Sequence, residues 1–220
     1  RRWSRMVVAA CGLTLKADPA LAGRADGRLI VANHASWLDI FAINAVAPSA
    51  FVASAEIRRW PLIGLLVAMA GTVFIERGRR RAVHEVIGTL RGRMRDGWPG
   101  AVFPEATTTD GRAVLPFHAN LIEAACQDGR DVLAVGLAYR DREGRWPEAV
   151  VWVGETTFLQ NLWAIIGARG LSVEGGIGDT IATEGRNRHE VARDARVAIS
   201  RRLALPMVDS VPGTALPIRA

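Results

Sequence analysis

The 220-residue chain is long enough for one domain with a sizeable core, and half of its residues are hydrophobic. A mean hydropathy of +0.14 is high for a freely soluble protein and indicates contact with lipid. The formal net charge is +6, and Lys16 is the only lysine, so the basic character comes from arginine. Arginine clusters at residues 1–5, 77–81 and 91–95 favour an anionic membrane surface or phosphate groups.

Charge and cysteine content exclude several classes of site. No helix-turn-helix, zinc or RNA-binding pattern accompanies the positive charge, so no nucleic-acid partner is expected. Cys11 and Cys126 offer neither a disulfide framework nor metal-ligand spacing. This predicts a reduced, cytoplasm-facing location and no metal site.

The hydrophobic pattern alternates between strands and helices along the chain. Helical periodicity is found at residues 37–46, 61–69, 81–96, 120–127 and 187–203. Apolar runs typical of strands centre near Leu29, Phe51, Val73, Val102, Leu133, Val150 and Leu171. This order predicts an α/β fold, with a mixed, largely parallel sheet flanked by helices, in a single domain over residues 1–209. Residues 175–178 are typical of a turn-rich junction, and residues 210–220 of a loose C-terminal tail.

No segment is long enough to cross a bilayer. A membrane helix needs about 20 apolar residues, whereas residues 6–15 are too few and residues 61–75 are better read as a helix followed by a strand. Residues 1–27 predict a membrane-proximal helix and its lead-in. Trp3, Trp60 and Trp163 are candidates for a lipid interface. Residues 158–166 are a candidate either for docking or for a core helix.

The most informative motif is a histidine and a carboxylate five residues apart, His34 and Asp39, directly after an apolar run. A continuous helix turns about 100° per residue, so these two side chains would lie on different helix faces. His34 must therefore precede the helix, with Asp39 in its first turns. A carboxylate on one imidazole nitrogen leaves the other nitrogen free as a base. The alternative is structural, because Ser36 and Asp39 also match a helix capping box.

Two further apolar runs end in charged residues, near Arg77 and Glu105. In an α/β sheet, ligands bind beyond the carboxyl ends of the strands. We therefore expect His34, Arg77 and Glu105 to converge at that edge of the sheet.

With these segments in order, the chain resembles the lysophospholipid or glycerolipid acyltransferases typified by 1-acyl-glycerol-3-phosphate acyltransferase. Residues 34–39 match the first block of that family, a histidine followed by four residues and an aspartate. Residues 71–77 match its second block, residues 103–107 its third and residues 132–137, more weakly, its fourth. The resemblance runs from about residue 3 to about residue 153.

The resemblance implies transfer of a fatty acyl group from a thioester of coenzyme A or acyl carrier protein to a lysophospholipid hydroxyl. The first-choice acceptor is 1-acyl-glycerol-3-phosphate. His34 would be the general base and Asp39 would hold and polarise it, with no cofactor beyond the thioester co-substrate. The substrate-binding residues that follow from the resemblance are Arg77, Glu105, Thr107, Gly71, Asn33 and His118.

The sequence departs from the family pattern at several positions. The third block usually has glycine where Ala106 stands, a change that disfavours a positive φ but is compatible with an ordinary backbone conformation. Cations that the family often has are replaced at Ser54, Thr108, Thr109 and His118. Arginines that could bind a phosphate instead are Arg58, Arg59, Arg77 and Arg112. The segment at residues 107–111 resembles the lyso-ornithine lipid O-acyltransferase branch, which is the alternative acceptor class.

Two other classes of function remain open. A hydrolase would need a nucleophile such as Ser36, yet the chain has no G-x-S-x-G elbow. A catalytically silent lipid-binding protein would have no need of the pair His34 and Asp39. The predicted partners are a lysolipid acceptor, an acyl thioester donor and a membrane surface. The expected location is the cytoplasmic face of the inner membrane, peripherally or through an upstream anchor.

Overall fold

The computed structural model describes residues 1–60, 62–76, 80–154 and 156–210. The strands are β1 (Leu13–Ala17), β2 (Leu29–Ala32), β3 (Ala50–Ser54), β4 (Val73–Ile75), β5 (Gly100–Val102), β6 (Val132–Arg140) and β7 (Leu171–Ile181). The helices are α1 (Arg2–Ala10), α2 (Ala20–Ala25), α3 (Leu38–Asn44), α4 (Ile63–Met69), α5 (Arg80–Arg95), α6 (Glu123–Cys126), α7 (Phe158–Gly167) and α8 (Arg188–Leu203). Short 3₁₀ turns occupy Ile57–Arg59, Ala119–Leu121 and Glu148–Val150.

All seven strands join one sheet in the order β1-β7-β6-β2-β5-β3-β4. Neighbouring strands are parallel except β6 and β7, which are antiparallel. The predicted α/β class, with a mixed and largely parallel sheet, is therefore confirmed. Strand β2 lies in the middle, with Leu29 opposite Gly100 of β5 and Val132 of β6. The segment that follows β2 therefore emerges between those that follow β5 and β6.

Side chains alternate between the two sides of the sheet, as strand geometry requires. In β2, Ile30 and Ala32 pack into one core, and Leu29 and Val31 into the other. Helices α1, α2, α3, α4 and α7 cover the first side, which we call the apolar layer. Helices α5, α6 and α8 cover the second side, which we call the charged layer.

The outer surfaces of these two layers differ in composition. Helices α4 and α7 contain no charged residue, whereas α5 and α8 contain several arginines each. In the charged layer, Arg91 of α5 donates to Asp128 at 2.6 Å and Arg95 does so at 2.8 Å. These bonds hold the pKa of Asp128 down, at about 2. Ion pairs thus tie α5 to the loop after α6.

Two helices, α7 and α8, begin with side-chain caps. Thr157 and Gln160 form a capping box at the start of α7. The Asn187 side chain accepts hydrogen bonds from the backbone of His189 and Glu190 at the start of α8. These caps satisfy N–H groups that have no partner within the helix.

Several local predictions were wrong. The run near Val150 forms a 3₁₀ turn rather than a strand, β1 was not predicted, and residues 120–127 divide into a 3₁₀ turn and α6. Residues 175–178 lie inside β7 rather than in a turn. Glycine suits the close packing of α8 on the sheet, since a Cβ on Gly178 would lie only 3.3 Å from the backbone carbonyl oxygen of Ala198 in α8. Composition alone cannot distinguish this close packing from a turn.

Among the described helices, none is long and apolar enough to cross a membrane. Of the three tryptophans predicted at a lipid interface, Trp60 and Trp163 are exposed, the latter by 69%. Trp3 instead lies half-buried against the core of the apolar layer. The predicted C-terminal tail lies outside the described residues except for Ser210.

Candidate active site

The histidine of the first motif is held at the carboxyl end of β2 by its neighbour Asn33. The Asn33 side chain is buried, donates to the Leu137 carbonyl at 3.0 Å and accepts from the Leu137 N–H at 2.8 Å. Both polar groups of this amide are therefore occupied by the backbone of β6. Asn33 was predicted to bind substrate, but these contacts give it the role of fixing the turn that carries His34.

His34 and Asp39 come into direct contact across this turn. His34 lies before α3 and Asp39 lies in its first turn, as their spacing predicts. The imidazole Nδ1 and the carboxylate Oδ2 are 2.9 Å apart. Asp39 is fully buried, whereas the His34 side chain is 18% exposed. The buried carboxylate thus orients a ring that solvent or substrate can reach.

Part of the capping box that the spacing of Ser36 and Asp39 predicts is formed beside the imidazole contact, although Trp37, the N-cap residue of α3, has no side-chain cap. Asp39 Oδ2 also accepts the backbone N–H groups of Ala35 at 2.8 Å and Ser36 at 2.9 Å. The Ser36 hydroxyl in turn accepts a long bond, 3.4 Å, from the N–H of Leu38. The same carboxylate oxygen therefore closes a capping arrangement around the start of α3 and binds the imidazole.

The second oxygen of Asp39 has a partner that the sequence did not reveal. The hydroxyl of Tyr139, on β6, donates to Oδ1 at 2.6 Å. Both side chains are fully buried. Tyr139 is the only tyrosine of the chain, and no motif or spacing singled it out.

The His34 ring and backbone are also held by residues that follow β5. Phe103 stacks on the imidazole with ring centroids 4.1 Å apart and planes 11° apart. Thr109 donates its backbone N–H, at 2.9 Å, and its hydroxyl, at 3.2 Å, to the His34 carbonyl. Within the described part of the chain, no hydrogen bond to Nε2 occurs. The fixed ring therefore presents Nε2 as its available nitrogen.

Glu105 reaches the same place from the carboxyl end of β5, as predicted. It is 3% exposed, and neither carboxylate oxygen has a hydrogen-bond partner within the described residues. Burial raises the pKa of Glu105 well above its ordinary value, and the nearby charge of Asp39 raises it further. The backbone N–H of His34 and the Arg196 guanidinium lie close enough to oppose this rise in pKa, although the N–H is not aligned as a hydrogen bond.

The neighbouring Ala106 has a backbone conformation that we did not expect. Its φ is +58°, in the left-handed region, rather than the ordinary conformation that is compatible with alanine. An L-residue other than glycine costs roughly 1–2 kcal/mol in this region. The turn at the third block therefore has a positive φ even with alanine at this position, and the strain is part of the folded state.

The remaining predicted substrate residues have different positions. Thr107 is half-buried two residues after Glu105. His118 has an exposed side chain, while its backbone N–H donates to the Pro104 carbonyl at 2.8 Å, which keeps it next to the third block. Gly71 lies before β4, at the opposite end of that strand from the site, where its φ of +82° closes the turn after α4. Arg77 lies outside the described residues.

Of the other arginines considered for phosphate binding, two have partners of their own. Arg112 forms an ion pair with Glu148, and the Arg58 guanidinium lies 5.6 Å from the centroid of the Phe74 ring. Arg196, which the sequence did not single out, donates to the carbonyls of Val114 and Val208. Groups of His, Cys, Asp or Glu that could hold a metal ion do not occur in the described ranges.

One known family covers the segment that contains the dyad of His34 and Asp39, the stacked ring of Phe103 and the buried Glu105. The acyltransferase family profile matches residues 19–138, more than half of the chain. The lyso-ornithine lipid O-acyltransferase of Pseudomonas aeruginosa is 38% identical over 180 residues, which cover 80% of this chain and 67% of that protein. This chain belongs to the acyltransferase family. The predicted resemblance is thereby confirmed.

Other comparisons agree with this membership. The 1-acyl-sn-glycerol-3-phosphate acyltransferase of Neisseria meningitidis serogroup B is 39% identical over 171 residues, 77% of this chain. The chain spans 66% of the length of that relative and 58% of a similarly named protein of Neisseria gonorrhoeae. The crystal structure of the 1-acyl-sn-glycerophosphate acyltransferase of Thermotoga maritima superposes with a TM-score of 0.68 at 23% identity, over 92% of this chain and 76% of that one. It shares the fold.

Proposed function

We propose that the protein transfers a fatty acyl group from a thioester to the hydroxyl of a lysolipid. The observation that carries the proposal is the His34 ring, fixed through Nδ1 by Asp39 and presenting Nε2 at the carboxyl edge of the sheet. Ligands of α/β folds bind at this edge. Relatives named as acyltransferases of glycerol phosphate and ornithine lysolipids support the same reaction class.

In the proposed reaction, Nε2 of His34 removes the proton from the acceptor hydroxyl as its oxygen attacks the thioester carbonyl. The new C–O bond gives a tetrahedral intermediate, which breaks the C–S bond and expels the thiolate. The imidazolium returns its proton to that sulfur, so the enzyme ends as it began. Asp39 stabilises the imidazolium, and no acyl-enzyme forms. Positioned base catalysis supplies roughly 10²- to 10⁴-fold.

The rest of the acceleration must come from orientation and from stabilisation of the oxyanion. The turn after β5 offers donors for this purpose. The N–H of Ala106 donates to the Phe103 carbonyl at 3.2 Å. The N–H groups of Glu105 and Thr107 make no hydrogen bond within the described ranges, so we assign the oxyanion to this pair.

Two acceptor classes fit the site through Glu105. As a neutral acid, a state that its raised pKa favours, Glu105 would donate a hydrogen bond to the phosphate of 1-acyl-glycerol-3-phosphate. As a carboxylate, it would accept hydrogen bonds from the ammonium group of lyso-ornithine lipid. The phosphate acceptor remains our first choice. The second choice is favoured by the ion pair that occupies Arg112.

A competition assay distinguishes the acceptors. Purified protein is supplied with both lysolipids at equal concentration and with a radiolabelled acyl thioester, in parallel as acyl-CoA and acyl carrier protein. We expect the phosphate lysolipid to be acylated faster. A reversed ratio would assign the ornithine acceptor, and no product with either lysolipid or donor would contradict acyl transfer, leaving a lipid-binding role.

The proposal includes a membrane surface, because the acceptor is a lipid. Among the described residues, six of the ten exposed large apolar side chains lie on helices of the apolar layer, and two more directly precede α4. They are Met6, Trp60, Leu62, Leu65, Met69, Leu159, Trp163 and Ile166. Arg58 and Arg59 before α4, and Arg169 after α7, are exposed at the ends of these helices.

This combination of tryptophan, aliphatic residues and flanking arginine suits an anionic bilayer. The surface also connects to the site through aromatic contacts. The rings of Trp60 and Trp152 are 5.8 Å apart, and Phe158 lies 5.1 Å from Trp37, two residues before Asp39. We therefore place the apolar layer against the membrane. Thioester donors are cytoplasmic, so we place it on the cytoplasmic face.

Charge insertion tests this orientation with a matched control. The double variant Leu65→Glu/Trp163→Glu should reduce co-sedimentation with phosphatidylglycerol vesicles at least tenfold. His84→Glu/Thr89→Glu adds the same charge at exposed positions of α5 in the charged layer and should bind as the wild type does. Equal binding by both variants would contradict the orientation. A wild-type dimer that only the first variant dissociates, without vesicle binding, would assign the surface to a second copy.

A further inference from the structure

We propose that Tyr139 is a positioning residue for the reaction, acting on His34 through Asp39. This inference rests on the proposed function for its kinetic readout, but the contact itself stands on geometry. The phenol would fix one carboxylate oxygen so that the other keeps its place on the imidazole. It would also set how strongly the carboxylate holds a proton on His34.

The two oxygens of Asp39 have unequal partners. Oδ2 serves the His34 ring and two backbone N–H groups, all within 2.9 Å. Oδ1 serves the Tyr139 hydroxyl, the one donor to this oxygen within the described residues, at 2.6 Å. Such a distance is typical of a hydrogen bond between a hydroxyl and a charged carboxylate. Removing the phenol would leave a buried oxygen without a donor.

The phenol is itself held rigidly. Tyr139 lies on β6 opposite Val173 of β7, and the edge of the Trp146 ring meets its ring at 88° with centroids 5.8 Å apart. Two residues earlier, the backbone of Leu137 clamps Asn33. Strand β6 therefore holds the dyad at both of its ends, through Asn33 beside His34 and through Tyr139 on Asp39.

The surroundings of Tyr139 keep its hydroxyl protonated, so that it remains a hydrogen-bond donor. Burial raises its pKa well above the ordinary value, and the negative charge of Asp39 raises it further. The phenol therefore stays protonated at any pH at which the enzyme works. Donation to Oδ1 withdraws negative charge from the carboxylate, which weakens its attraction for a proton on the imidazole. Loss of the hydroxyl should therefore strengthen the attraction of the carboxylate for a protonated imidazole.

Tyr139→Phe removes only the hydroxyl and keeps the ring against Trp146. We expect kcat to fall about tenfold with KM unchanged, since the acceptor does not touch the buried phenol. The acidic limb of the kcat/KM profile should move to higher pH. A loss of thermal stability with unchanged kcat and pH profile would overturn the proposal, because it would mark the contact as structural only.

A double-mutant cycle tests whether Tyr139 acts through Asp39. In an Asp39→Asn background, Tyr139→Phe should cause little further loss of kcat, because the carboxylate that it acts on is absent. If Tyr139 acted independently of Asp39, the second substitution would reduce kcat by a further tenfold, and this result would overturn the proposal.

Histidine NMR separates this proposal from the proposed function. The imidazole of His34, assigned by the signal that disappears in His34→Gln, is titrated in wild type and in Tyr139→Phe without substrate. A titration midpoint at higher pH in the variant than in the wild type supports the role of Tyr139 even if no lysolipid is acylated. Identical titration curves would overturn it even if the enzyme is active.

Discussion

Two carboxylates are buried side by side in the site, and they are satisfied in opposite ways. Asp39 accepts four hydrogen bonds, from His34, two backbone N–H groups and Tyr139. Glu105 accepts none within the described residues, although it is buried almost as completely. Burying a carboxylate without donors is costly, so the second arrangement is unfavourable in the free protein.

The difference indicates two roles. A carboxylate whose oxygens are saturated can keep its charge and its position, which suits a group that orients a base. A buried carboxyl group without partners is available for a group that arrives from outside, which suits a headgroup ligand. If Glu105 binds the headgroup as proposed, the low stability of the second arrangement is the trade-off between stability and function that is common at binding sites.

The largest effect should come from the saturated carboxylate. Asp39→Asn keeps the shape of the side chain but cannot serve four donors as an anion, so the imidazole loses its orienting charge. We expect kcat to fall about 10²-fold or more, the scale of positioned base catalysis. Steady-state kinetics with the preferred lysolipid measure this loss. A loss below threefold would show that Asp39 is only a helix cap.

Glu105, the carboxyl group without hydrogen-bond partners, should reduce the stability of the folded protein, so its replacement should increase that stability. Because its pKa is raised in the folded state, that state binds more protons than the unfolded chain above about pH 4.5, the ordinary value for Glu. Stability is therefore lost as pH rises. Glu105→Gln removes this loss, so it should stabilise the protein at pH 7 by roughly 1–3 kcal/mol, with the gain disappearing near pH 4.

Urea unfolding of Glu105→Gln at both pH values measures the gain, and acylation kinetics measure the accompanying loss of activity. The control is Glu85→Gln, whose exposed side chain pairs with Arg81 on α5. This control should change stability by less than about 0.5 kcal/mol. A gain for Glu105→Gln that is the same at pH 4 and pH 7 would exclude a buried acid as its cause.

The smallest effect concerns the turn after β5, where Ala106 directly follows Glu105. Ala106→Gly relieves the left-handed strain but gives the unfolded chain more freedom, so a net gain of about 0.5–1 kcal/mol is expected. Thermal unfolding would detect this gain as a shift of a few degrees. The matched control is Ala204→Gly, which also has a left-handed φ, of +53°, at the end of α8. If only Ala204→Gly stabilised the protein, strain at Ala106 would be absent.

Sequence patterns were reliable where one local signal determines the structure. The apolar runs at β2 and β5 and the spacing of His34 and Asp39 predicted His34 before α3, Asp39 in its first turn and Glu105 at the same edge of the sheet. The glycines of β7 and the run near Val150 misled, because packing against α8 and a proline-led 3₁₀ turn override local composition.

The support of the site could not be predicted because it depends on contacts between distant parts of the chain. Tyr139 is 100 residues from Asp39, and Asn33 is 104 residues from Leu137. Ala106 shows a related limit, since the turn and not the residue type sets its φ. No pattern within one segment encodes these contacts.

The central claim is that Nε2 of His34 removes a proton from a lysolipid hydroxyl. The most direct test compares wild type and His34→Ala in single-turnover acylation of the preferred lysolipid, with lysolipid binding measured on both proteins. The account predicts that acylation falls at least 10²-fold while binding changes little. Acylation at an unchanged rate by a folded His34→Ala protein would contradict it.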